Sequence, residues 1–87
     1  MQLTEGSVVK SSAGHDKGFF GVVVGFRDGW PLVADGKTRK LNRPKRKNPK
    51  HLIVTREKLD LCEIHGNTML RRLLWPFQYG GRQPDCE

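Results

Sequence analysis

Alternation of apolar and polar positions is sharpest in "FFGVVVGF", Phe19 to Phe26. A period of two puts Phe20, Val22, Val24 and Phe26 on one face and Phe19, Gly21, Val23 and Gly25 on the other. The first set is the predicted core face of a strand. The glycines opposite mark a close backbone approach or a sharp bend, as a small closed barrel needs. "GSVVKS" predicts a shorter strand before it, with Val8 and Val9 on opposite faces, and the glycines of "SAGHDKG" supply the positive φ of a tight turn. "WPLVADGKTRKLN" predicts a hairpin about Asp35-Gly36 in which Ala34 pairs with Lys37, setting Trp30, Leu32, Arg39 and Leu41 on one face. Pro31 turns its nitrogen away from any ladder partner. "HLIVT" predicts the last strand, Leu52 and Val54 facing one way and Ile53 the other.

After Arg56 the β-branched residues thin out, which divides the chain into a barrel at residues 1–58 and a C-terminal extension at 59–87. In the extension, "NTMLRRLLW" predicts a helix near 67–75. Asn67 or Thr68 caps it, Met69, Leu70, Leu73 and Leu74 form its apolar stripe, and Pro76 stops it. So short a helix is marginal alone and has to pack on the barrel or on a partner. "QYGGRQPDCE" has the composition of a frayed tail. Short strands separated by glycine-rich turns, with no helix between them, predict a mostly β fold: a small antiparallel barrel with a short C-terminal helix.

Charge changes this picture in one place. Half of the sixteen Lys and Arg fall in "KTRKLNRPKRKNPK", Lys37 to Lys50, which holds no acid, while the rest of the chain balances its nine acids against the other eight basic groups. The formal charge of +7 is therefore local, and a positive field so concentrated attracts anionic partners. Pro44 and Pro49 exclude a basic helix, so the run is predicted as an extended, solvated loop outside any ladder. "PKRK" also has the form of a nuclear import signal.

Catalysis and metal binding find little support. There is no paired-carboxylate motif, no Gly-x-Ser-x-Gly turn and no phosphate loop, so the chain is expected to be non-enzymatic, without cofactor or small-molecule substrate. Cys62, His65 and the distant Cys86 fall short of a structural zinc set unless His15 or His51 joins them, and no metal is expected. Trp30, Trp75 and Tyr79 are expected to pack rather than to stack on bases. Two cysteines and no signal-like or membrane-length apolar run predict a cytoplasmic protein without membrane association.

"GSVVKSSAGHDKGFFGVVVG" resembles the KOW motif of ribosomal and transcription-associated proteins, a strand after glycine, a Gly-x-x-Lys-Gly turn, then a second strand entered through glycine. The positions are Gly6, Gly14, Lys17, Gly18 and Gly21, with Val22 and Val24 in the apolar slots. With its continuation "LVADGKTRKLNRPKRKNPKHLIVT", the chain over residues 3–56 is similar to the small bacterial KOW-domain RNA-binding proteins. Those are themselves similar to the fourteenth large-subunit protein of archaeal and eukaryotic ribosomes. The more apolar residues 60–87 depart from that group. The resemblance implies an SH3-like barrel that binds RNA in or near the translation machinery, with ribosomal RNA as partner, ribosomal proteins as further neighbours, and a monomer when free.

The RNA-binding residues expected are Lys17 in the turn and Lys37, Arg39, Lys40, Arg43, Lys45, Arg46, Lys47 and Lys50 in the basic run, with Gly14, Gly18 and Gly21 shaping the turn. The alternative is a protein-interaction barrel that docks a partner through an aromatic groove or the 67–75 helix; DNA binding stands third.

Overall fold

The strand made by "FGVVVGF" is the centre of the molecule because it pairs on both sides. A computed structural model describes residues 3–14 and 17–78. It contains strands β1 (Ser7–Ser11), β2 (Phe20–Arg27), β3 (Trp30–Ala34), β4 (Lys45–Arg46) and β5 (Leu52–Lys58), two 3-10 turns (Pro49–His51 and Leu61–Glu63) and helix α1 (Asn67–Gln78). The strands form one antiparallel sheet in the order β4-β3-β2-β1-β5, so the fold is mostly β with a single C-terminal helix. The expected frayed tail, with Tyr79 and Cys86, lies outside the described residues, as do His15 and Asp16.

β2 keeps its predicted alternation only halfway. Val22 pairs with Ala34 and Val23 with Val33, but the next pair is Gly25 with Leu32, so Val24 is a bulge. One extra residue reverses every side chain beyond it. Phe20 and Val22 are buried as predicted, whereas Phe26 now shares a face with Pro31 and is 43% exposed. Gly25 stands at this bulge. Gly21 marks the close approach: a Cβ there would lie 2.6 Å from Val33 Cγ1 and 3.1 Å from the Ala34 carbonyl oxygen.

The chain holds two Asp-Gly pairs, and the two-residue hairpin turn uses the first. Arg27 pairs with Trp30 across Asp28 and Gly29, whose φ angles of 52° and 81° are both positive, as this class of turn requires. The hairpin expected at Asp35-Gly36 does not form. Asp35 Oδ1 accepts from the amides of Lys37 and Arg39, both at 2.8 Å, and the amides of Asp35 and Gly36 donate to the Arg39 carbonyl. A carboxylate that gathers its neighbours' amides closes a local loop in place of a ladder. Ala34 therefore has no partner at Lys37, and the next strand waits until Lys45, which pairs with Val33, as Arg46 does with Leu32.

That loop is seated on the helix. A Cβ on Gly36 would collide with the Asn67 carbonyl oxygen and approach Arg71 Cγ to 2.9 Å. Asn67, expected as a cap, accepts from the Leu41 amide through Oδ1 at 2.7 Å and so ties loop to helix.

Helix α1 begins where predicted but continues through Pro76 to Gln78. An interior proline removes one helix hydrogen bond and crowds the preceding turn. Here it falls in the last turn, and the extension brings the Phe77 ring to 5.7 Å from Phe20. Leu70 and Leu74 are fully buried with Val8, Phe20, Val22 and Ala34 in one cluster, packed around by partly buried Leu59, Leu61 and Ile64. The core thus draws on both sides of residue 58.

β5 returns the chain to β1, pairing Val54 with Val9, Ile53 with Lys10 and Leu52 with Ser11. A register shift lies between Ser7 and Val9, and there the buried Thr55 hydroxyl donates to the Val8 carbonyl at 2.7 Å and accepts from the Glu57 amide at 3.2 Å. The short link between β4 and β5, Lys47 to His51, therefore joins the two edge strands of the sheet. Asn48 Oδ1 caps its 3-10 turn by accepting from the Lys50 amide. Among the described residues no helix is long and apolar enough to cross a membrane.

Candidate nucleic-acid interface

The segment "KRK" was expected in a solvated loop outside any ladder, and here the structure corrects the sequence. Lys45 and Arg46 are the two residues of β4, and the Lys47 amide extends the pairing by donating to the Pro31 carbonyl at 2.9 Å. Pro44 does not forbid this because it precedes an edge strand, where lysine is also a common guard against further pairing. Strand geometry then sorts the cluster. Residues directly opposite share a face, so Lys45 accompanies Val33, while Arg46 accompanies Leu32 on the other side.

On the Val33 side the sheet carries a shallow cleft. Its apolar floor is formed by Val9, Gly21, Val33 and Leu52. Phe19 stands at the edge with 53% of its surface exposed, and Lys45, Lys47 and Arg39 complete the rim. Asp35 also lines it, but its Oδ1 already receives two loop amides. The enclosed space is only about 30 Å³, room for a water or two, so a larger group would fit only across the cleft and not inside it.

The turn that carries Gly14 and Gly18 leads directly into this edge. Gly14 and Gly18 have φ of 80° and 90°, the left-handed region that disfavours a side chain. The Gly18 amide donates to the Ser11 carbonyl at 2.8 Å, and the Lys17 amide to Gly14 at 3.2 Å, which leaves Lys17 exposed two residues before Phe19. Gly21 belongs to the cleft floor instead. Lys50 is exposed on the Pro49–His51 turn, which is held to the same loop by the Ser12 amide donating to His51.

Arg46 faces a different neighbourhood. Its guanidinium carbon lies 5.3 Å from the centroid of the Trp30 ring, and Nη1 is 3.4 Å from Asp28 Oδ2. Trp30 was expected in a packed setting, but it is 41% exposed and covered in part by this cation. Lys37, Lys40 and Arg43 are exposed on the loop that rests against α1, where Arg71 and Arg72 are exposed as well. The nine predicted basic residues are therefore not one patch. Lys45, Lys47 and Arg39 meet at the cleft; Lys17 and Lys50 stand on connections that a backbone hydrogen bond joins; Arg46 pairs with Trp30; and the others follow the helix.

The residue that sequence reasoning passed over is Phe19. Its signal was present: it lies on the strand face opposite the core set, directly after the turn glycine. Cys62, His51 and His65 are exposed, and among the described residues no three His, Cys, Asp or Glu side chains are grouped to hold a metal ion. No protein-family model matches this chain, and no curated protein matches it as a relative.

Proposed function

We propose that the chain is a non-enzymatic RNA-binding module of the translation machinery, an SH3-like barrel of KOW type that meets ribosomal RNA in the cytoplasm. The observation that carries this is the pairing of β4, which sets Lys45 beside Val33 on a sheet face already bearing an exposed aromatic and two further cationic groups. Lysines on a rigid strand meet phosphates at fixed spacing and release counterions as they do so. The barrel assignment draws support from a strand meander whose fifth strand returns to pair with the first, together with the turn geometry at Gly14 and Gly18. Docking of a protein partner through the helix is disfavoured because Leu70 and Leu74 of its apolar stripe are buried in the chain's own core.

Two measurements test this. Crosslinking in cell extract followed by sequencing of the attached RNA should recover ribosomal RNA above other transcripts. In solution, replacing Lys45 and Lys47 together by Gln should weaken RNA binding and flatten the dependence of log affinity on log salt by about 1.4, two contacts at ~0.7 each. A wild-type protein that binds no RNA at low salt sinks the proposal.

A further inference from the structure

We infer that the cleft on the Val33 side receives one unpaired nucleobase of single-stranded RNA, stacked on Phe19, with the adjoining phosphates on Lys45 and Lys47. This rests on the RNA-binding proposal and specifies which form of RNA the protein selects. Three features point to this occupant. The floor is apolar and shallow: Val33 and Leu52 are partly exposed, while Val9 and Gly21 lie buried, with Val33 Cγ1 over the place a Gly21 Cβ would take. Such a floor suits a flat ring laid over it better than a branched side chain, which needs depth. The rim supplies lysines, so the ligand that satisfies both surfaces is flat and apolar in one part and anionic in the next, the composition of a nucleotide. Finally, Phe19 remains 53% exposed at the edge although its neighbour on β1, Ser11, is buried. An aromatic ring free to stack offers little to a duplex, whose base faces are already covered, and much to a base that is not paired.

Backbone geometry keeps the ring in place without demanding it. The Phe19 carbonyl accepts from the Ser11 amide at 2.9 Å, a bond that any residue at this position retains. Substitution of Phe19 therefore removes the stacking surface and leaves the turn intact.

The test compares a fluorescein-labelled uridine decamer with a blunt RNA duplex, each titrated at several salt concentrations. Phe19→Ala should weaken decamer binding about ten-fold, the usual scale for one stacked base, with an unchanged salt slope and unchanged duplex affinity. Phe19→Trp should restore decamer binding. Amide resonances of Val9, Gly21, Val33 and Leu52 should shift on addition of the decamer. If Phe19→Ala stays folded by circular dichroism and binds the decamer as tightly as wild type, or loses decamer and duplex equally, the cleft inference is overturned while RNA binding itself stands. If the same resonances shift with an acidic peptide and not with the decamer, the cleft is a peptide site and the inference also fails. Failure of wild type to bind either RNA removes the proposed function as well.

Discussion

The two faces of the sheet received similar raw material and came to different ends. β2 offers Phe20 and Val22 to one side, and Phe19 just before the strand, with Gly21 and Val23 in it, to the other. On the first side the chain covers itself: Leu70 and Leu74 of α1 close over Val8, Phe20 and Val22, and Phe77 reaches Phe20. On the second, Val9 and Val23 are also buried, yet an aromatic ring stays half in water and lysines line the border. Apolar surface buried on either face contributes to stability, whereas the exposed ring of Phe19 and the cations beside it are not spent on the core. Changes under the helix are therefore expected to act on folding, and changes at Phe19 and the lysines of the opposite rim on binding.

The largest effect should come from Leu74→Ala or Leu70→Ala. Each empties a fully buried site shared by sheet and helix and should cost about 2–5 kcal/mol, read as a lowered midpoint in urea unfolding. A helix that unfolds separately, with the sheet signal unmoved, would break the idea of one core. Next come two glycines that share a backbone conformation and differ in surroundings. Gly36 and Gly18 have φ of 81° and 90°, but a Cβ on Gly36 strikes α1 while one on Gly18 meets nothing within 4 Å. Gly36→Val should therefore destabilise by more than the ~1–2 kcal/mol of left-handed strain expected for Gly18→Val. Equal losses would mean that the loop lifts off the helix at little cost. The smallest effect on folding belongs to the cleft: Phe19→Ala should change stability by no more than about 0.5 kcal/mol, as an exposed substitution does, even while it alters RNA binding. Arg46→Gln refines this side further. Its cation is already engaged by Trp30 and Asp28, so it should lower RNA affinity less than Lys45→Gln in a parallel titration.

Much of this organisation was legible in the sequence, and the failures have physical causes. Strand positions for β1, β2 and β5 and the core role of Phe20 and Val22 follow from alternation and turn residues, and the start of α1 from the Asn67-Thr68 capping signal. The two-residue turn belongs to Asp28-Gly29 and not to the expected Asp35-Gly36, and the sequence holds the information to tell them apart. After Gly29 apolar alternation resumes at once with Trp30 and Leu32, whereas after Gly36 come Lys37, Thr38, Arg39 and Lys40, with nothing apolar to pair. The bulge at Val24 was hidden because a register shift depends on which residues of β3 compete for pairing, and only Gly25 hints at it. At the site, composition found the basic run, but its sorting into two faces came from β4, a two-residue strand too short for any periodic signal. The run past Pro76 was likewise invisible, since it depends on a tertiary contact between Phe77 and Phe20.

The pairing of the first strand with the last has a further consequence, for the order in which the chain folds. β1 is an interior strand of the finished sheet, yet its neighbour β5 arrives late: the hydrogen bond from Thr55 to the Val8 carbonyl spans 47 residues. Contacts of such long sequence separation are slow to form, because loop closure must precede the reward. Until β5 docks, β1 presents an open edge carrying Val9, a template on which a second chain can pair. The basic run lies just ahead of β5 in the sequence, so a nascent chain with its edge still uncovered also carries eight like charges that repel another copy of itself. The basic run proposed to meet RNA in the folded protein thus also opposes self-association of its unfinished sheet.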